Sequence, residues 1–164
     1  MKISVIFICY ILLVFTSCKK DNNVAPANTI SASIDGVDES FNTNAVAQLG
    51  TTVKLNSNLA IYGTNGSAAD DDVISITLAV NQTIAAGSFV SGSNDVGFVS
   101  ILYKHGPVSL TNPNTYATDI NGSPSTVVIT KITDNNIQGT FSGKLIYKNI
   151  SKVVTNGKFN LTIK

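Results

Sequence analysis

Ile74-Ser75-Ile76-Thr77-Leu78-Ala79-Val80 alternates large apolar with small or polar side chains over seven residues. Successive side chains of an extended chain point to opposite faces. The stretch therefore sets Ile74, Ile76, Leu78 and Val80 on one face and Ser75, Thr77 and Ala79 on the other. The same period of two recurs on either side. Ile30, Ala32 and Ile34 alternate with Ser31, Ser33 and Asp35, and Asp35-Gly36 then supplies a turn. Phe141, Gly143, Leu145 and Tyr147 alternate with Ser142, Lys144, Ile146 and Lys148, and Phe159, Leu161 and Ile163 with Lys158, Asn160, Thr162 and Lys164. Each segment puts one face on a core and one in water, as antiparallel sheets do.

Further strands are expected at Thr52–Leu55, Leu59–Tyr62, Phe98–Tyr103 and Thr126–Ile132, the last two apolar on both faces and so central or covered. Turn signals stand at Asn65-Gly66, Gly87-Ser88, Asn112-Pro113-Asn114, Asn121-Gly122, Asp134-Asn135-Asn136 and Asn156-Gly157, the last suited to a hairpin. No window carries a sustained helical stripe, and Ala45–Leu49 is expected to form one helical turn at most. The predicted fold is all-β, an antiparallel two-layer sandwich of about eight to ten strands, with a closed calycin-like barrel as the alternative.

Composition narrows the function classes. Of 164 residues 11 are Lys or Arg, all of them Lys, and 10 are Asp or Glu; 13% are charged and 43% hydrophobic. A nucleic-acid binder needs a basic stripe and commonly arginine forks, which this chain lacks, so no nucleic-acid partner is expected. Low charge with ample Ile, Val and Leu opposes disorder, and the length suits one domain. From Ile30 to Asp95 one lysine faces seven acids; from Val96 onward seven lysines face Asp119 and Asp134. The halves offset each other.

The front end reads as a signal peptide over residues 1–17: Lys2, an apolar run from Ile3 to Phe15, then Thr16 and Ser17. That run is too short for a bilayer core of about 30 Å, which takes roughly 20 helical residues. Phe15-Thr16-Ser17-Cys18 resembles a bacterial lipobox, although the pattern prefers Leu, Val or Ile where Phe15 stands. The resemblance implies that Cys18 is acylated and becomes the first residue after cleavage. An ordinary secretory peptide is the alternative. Cys9 leaves with the signal, so the mature chain keeps Cys18 alone, and acylation gives that thiol a purpose. Each buried methylene contributes about 0.8 kcal/mol, and several chains together anchor durably.

Residues 18–28 read as the lipidated cysteine and a flexible tether, and residues 29–164 as a single all-β domain. Cys18-Lys19-Lys20-Asp21 resembles the start of Bacteroidota lipoproteins, in which a Lys followed by acids directs surface export; here one acid follows. Ile34-Asp35-Gly36, Tyr116, Val128-Ile129-Thr130-Lys131-Ile132, Ile137-Gln138-Gly139-Thr140-Phe141-Ser142-Gly143 and Val154-Thr155-Asn156-Gly157-Lys158-Phe159-Asn160-Leu161 resemble a family of small uncharacterised Bacteroidota lipoproteins. This resemblance implies an outer membrane lipoprotein, on the periplasmic face or the cell surface, exported by the general secretory route. It carries no functional residue over.

Chemistry-bearing residues are few. Gly139-Thr140-Phe141-Ser142-Gly143 misplaces the serine for a nucleophile elbow. His105, the sole histidine, sits where a strand gives way to a loop and is expected to be inert. One His and no free mature Cys cannot assemble the usual zinc sets. Asp70-Asp71-Asp72 is a candidate calcium loop, weighed against a solvated acidic turn. Glu39 is the sole Glu, and no spacing says which Asp would face it, as a glycosidase pair requires. Tyr62, Tyr103, Tyr116 and Tyr147 offer a sugar-stacking platform or simply core. No catalytic residue and no cofactor are expected. The leading expectation is a non-enzymatic, lipid-anchored envelope module binding a glycan, an envelope protein or a small ligand through its loops. The alternatives are an accessory component of a surface assembly and a barrel carrying a lipophilic ligand.

Overall fold

The computed structural model describes residues 27–50, 57–93, 96–107 and 114–164. The signal peptide, Cys18, most of the tether and the strand expected at Thr52–Leu55 lie outside these residues. The described residues form eleven strands: β1 Thr29–Ile34, β2 Val37–Ser40, β3 Thr43–Gly50, β4 Ser57–Thr64, β5 Val73–Val80, β6 Gly87–Val90, β7 Val96–Lys104, β8 Thr115–Thr118, β9 Thr126–Ile132, β10 Asn136–Tyr147 and β11 Ile150–Thr162. All the strand pairings are antiparallel, in one sheet ordered β2-β1-β11-β10-β8-β7-β5-β4-β3, with β9 added to β10 and β6 to β9.

The expected all-β antiparallel fold is therefore present, and its curvature follows from the strand order. β2 and β3 stand at opposite ends of the nine-strand path, yet only Phe41 and Asn42 separate them in the chain. Consecutive Cα atoms are 3.8 Å apart, so the sheet has to bend round until its ends meet. Phe41 N–H, donating to Ile30 O at 2.8 Å, prolongs the β1–β2 ladder, and Lys164 N–H stitches the seam by donating to Ala47 O of β3 at 2.9 Å. A parallel bridge between Ala47 and Ile163 lies beside it. The result is one continuous curled sheet, as in a barrel, whose arms pack face to face like sandwich layers.

Alternation places the core as the sequence implies. Ile74, Ile76, Leu78 and Val80 are fully buried inside the curl, together with Ile30, Leu59, Ile61, Ile101, Phe159 and Leu161. At about 25 cal/mol per Å² of apolar surface, this single cluster is the main favourable contribution to folding.

Three local expectations are corrected. Ala45–Leu49 is not a helical turn; it lies in β3, paired with Leu59–Tyr62 of β4, because burying Ala47 and satisfying the ladder outweigh weak helical propensity. Gly87-Ser88 is not a turn but opens β6. Asn156-Gly157 is not a hairpin turn. The β10–β11 connection is made at Lys148–Asn149, with Lys148 at φ +52°, and Asn156-Gly157 lies within β11. There Asn156 adopts φ +53°, and the register slips against both β10 and β1, which makes a bulge. Gly157 is required at that place because a Cβ would lie 2.4 Å from Phe141 O.

Candidate functional site

One register row crosses five strands: Thr43 pairs with Thr64, Thr64 with Val73, Val73 with Lys104 and Lys104 with Thr115. This row is a rim of the curled sheet, and the loop 65–72 and the segment that begins at His105 leave from it. Asp72 precedes β5 in the same phase as Ile74 and Ile76, so its side chain enters the inner face. Tyr103 shares the phase of Val99 and Ile101 and also points inward. Glu39 on β2 pairs with the buried Ala32 and reaches the same point across the seam.

Tyr103, 1% exposed, is the hub. Its Oη lies 3.0 Å from Glu39 Oε1, 2.9 Å from Asp72 Oδ2 and 3.1 Å from His105 Nδ1. His105 Nδ1 is also 2.9 Å from Asp72 Oδ2, and Gly106 N–H donates to Asp72 Oδ1 at 2.6 Å. Asn65 fixes Asp72 from the other side, accepting its N–H on Oδ1 at 2.9 Å. Phe41 packs edge-on against the Tyr103 ring at 6.2 Å and 81°. The His105 side chain is 66% exposed and that of Asp72 11%, so the network runs from interior to solvent.

Burial, reinforced by the Asp72 hydrogen bond and the charges of both carboxyl groups, pushes the Tyr103 hydroxyl far above the ordinary phenol range. It is a neutral donor. Burial raises Glu39 above its ordinary 4.5; the Tyr103 hydrogen bond opposes this and the Asp72 charge adds to it. Burial pushes Asp72 upward too, but hydrogen bonds from His105, Gly106 and Tyr103 outweigh it and hold the carboxyl below 3.8.

Outside the same rim, the loop from Asn65 to Asp71 stands over the sheet, tied down by Lys104 Nζ donating to Ala69 O at 2.9 Å. Between loop and sheet is an open groove of about 360 Å³. Tyr62, Val73 and Leu102 give it apolar lining; Thr64, Asp71, Lys104 and Thr115 give it polar groups. Tyr62 is 40% exposed.

The anticipated residues are redistributed. Asp70, Asp71 and Asp72 do not form a calcium cage: Asp72 turns inward, Asp71 accepts the Ala68 N–H within its own loop, and Asp70 is exposed. Among the described residues, no group of three or more His, Cys, Asp and Glu side chains is arranged to hold a metal ion. The four tyrosines are no platform either. Tyr103 and Tyr116 are buried and Tyr147 is partly buried, which leaves Tyr62 in the groove. His105 is exposed, as a loop histidine would be, yet it is bound into the network. The Asp that approaches Glu39 is Asp72, through Tyr103. One cue was present in the sequence: Asp72 lies two residues before Ile74, in phase with the buried face. Protein-family models, curated proteins and solved structures offer no match to this chain.

Proposed function

We propose that the chain is an exported, lipid-anchored cell-envelope module that binds a small polar ligand, a glycan foremost, in the rim groove without catalysing its conversion. The anchor reading rests on Phe15-Thr16-Ser17-Cys18 behind a short apolar run, with the membrane as partner through acylated Cys18 and the outer membrane of a Bacteroidota-type envelope as the destination. The eleven residues from Cys18 to Asn28, ten Cα steps, reach at most about 35 Å, which keeps the domain close to the bilayer.

The observation that carries the binding reading is the exposed Tyr62 ring beside Asp71, Lys104, Thr64 and Thr115 in one open groove. An aromatic face with a few placed donors and acceptors suits a sugar ring, which has apolar C–H faces and polar edges. A lipophilic ligand inside the curl is less favoured, since Phe41, Tyr103, Phe159 and their neighbours occupy that space. Asp72 holds His105 by Nδ1 and leaves its side chain 66% exposed, as a general base would be placed. The hydroxyl beside that imidazole belongs to Tyr103, buried and held neutral, which supports binding rather than nucleophilic catalysis. An accessory role in a surface assembly has one supporting feature. The β1–β2 and β10–β11 hairpins, joined by Lys152 to Asp35 at 2.8 Å, carry the exposed Val37, Ile150 and Val153.

The test is a glycan array probed with the full chain in detergent, wild type beside Tyr62→Ala. The proposal expects a restricted set of glycans to bind and Tyr62→Ala to weaken binding at least about tenfold, the equivalent of 1.4 kcal/mol. Binding that Tyr62→Ala leaves unchanged, or hydrolysis of the bound glycan, overturns it.

A further inference from the structure

Counting protons in the Glu39–Tyr103–Asp72 contact leads beyond binding. Tyr103 has one hydroxyl proton and two carboxyl neighbours, at 3.0 and 2.9 Å. Asp72 has two further donors, His105 Nδ1 and the Gly106 N–H. Among the described residues Glu39 has no other: its Oε2 is buried without a hydrogen-bond partner there. If both carboxyls were ionised, the phenol proton would go to one, and the other would face an oxygen lone pair and a second negative charge. The arrangement closes when Glu39 carries a proton, donates it to Tyr103 Oη, and Tyr103 donates in turn to Asp72.

Glu39 also stands where the sheet is weakest. β2 is four residues long, its only partner among the described strands is β1, and it exposes Val37, Asp38 and Ser40. The Glu39 side chain ties it across the seam to β7. We infer that Glu39 is a proton-operated latch: protonated, it holds β2 against Tyr103; ionised, it swings to solvent and frees β2. His105 Nδ1, 3.1 Å from Tyr103 Oη, faces the same hydroxyl but is taken up by Asp72 at 2.9 Å. Asp72 and His105 are bound to each other, and Lys152 of β11, which senses the Glu39 charge, is engaged by Asp35 from the β1–β2 turn.

Glu39 is the only glutamate in the chain, so glutamate labelled with ¹³C at the carboxyl gives a single resonance in the full-length protein. Its titration is followed beside amide exchange of residues 37–41, without ligand. The latch expects a midpoint above 4.5 and opening of β2 that rises about tenfold per pH unit between 4.5 and that midpoint, then levels off. Glu39→Gln, whose amide still donates to Tyr103, keeps β2 protected throughout, and Tyr103→Phe leaves it fast and without the pH step. A midpoint at the ordinary value overturns the latch, as does a pH step persisting in either variant. Neither result touches the groove reading, and failure on the glycan array leaves the latch standing.

Discussion

Tyr103 and Glu39, 64 residues apart in the chain, meet at 3.0 Å between Oη and Oε1 and join β7 to β2 across the seam. Removing the hydroxyl while keeping the ring leaves Asp72 with His105 and Gly106 and leaves Glu39 without its hydrogen-bond partner. Tyr103→Phe is expected to lower unfolding free energy by about 1–3 kcal/mol in urea denaturation, the cost of leaving a buried polar group unpaired. The edge-on contact with Phe41 survives the substitution, so a far larger loss would mean that packing had been disturbed as well.

Stability should pass through a maximum at mildly acidic pH. Asp72 is held below 3.8, so its contribution is complete above that value and is lost as pH falls through its folded pKa. Asp35 behaves alike, lowered first by the hydrogen bond from Lys152 and then by the Val153 N–H. Glu39 is raised above 4.5, so its contribution is complete below 4.5 and is lost as pH rises through its folded pKa. Thermal melts of Glu39→Gln should keep the acid limb and lose the decline on the high-pH side that Glu39 causes.

The bulge in β11 makes its own prediction. Gly157→Ala brings a Cβ to 2.4 Å from Phe141 O and 2.7 Å from the Phe141 ring, and backbone does not yield cheaply. A loss of about 1–3 kcal/mol is expected, against a change within about 0.5 kcal/mol for Gly87→Ala on β6, where a Cβ meets nothing within 4 Å. Equal effects in parallel chemical denaturations would contradict the register described for β11.

Much of the sheet could be read from alternation because each of β1, β5 and β11 buries one face. What alternation left out has physical reasons. β3 holds Asn44 at φ +54° beside a register shift, which breaks its period, and β2 exposes Val37 while turning Glu39 inward, against hydrophobicity. Asn-Gly at 156–157 carries the left-handed preference of a hairpin turn, but a bulge uses the same preference. The network escaped for another reason: residues 39, 72, 103 and 105 come from segments whose adjacency depends on closing the sheet, and no local spacing encodes closure. Only the phase of Asp72 and Tyr103 with their buried neighbours pointed there.

Lipid anchoring is tested apart from the fold. Labelled palmitate should enter the wild-type chain in its host envelope and be lost in Cys18→Ala, which should leave the membrane fraction. Equal labelling of both would remove Cys18 from the account.

The most direct test of the account is amide chemical-shift mapping of the full chain, titrated with the oligosaccharides that bind on the array. The account predicts perturbations gathered at Tyr62, Leu102, Lys104 and Thr115 and along loop 65–72. Perturbations confined to the far face, around Ser31, Asn156 and Lys158, would contradict it.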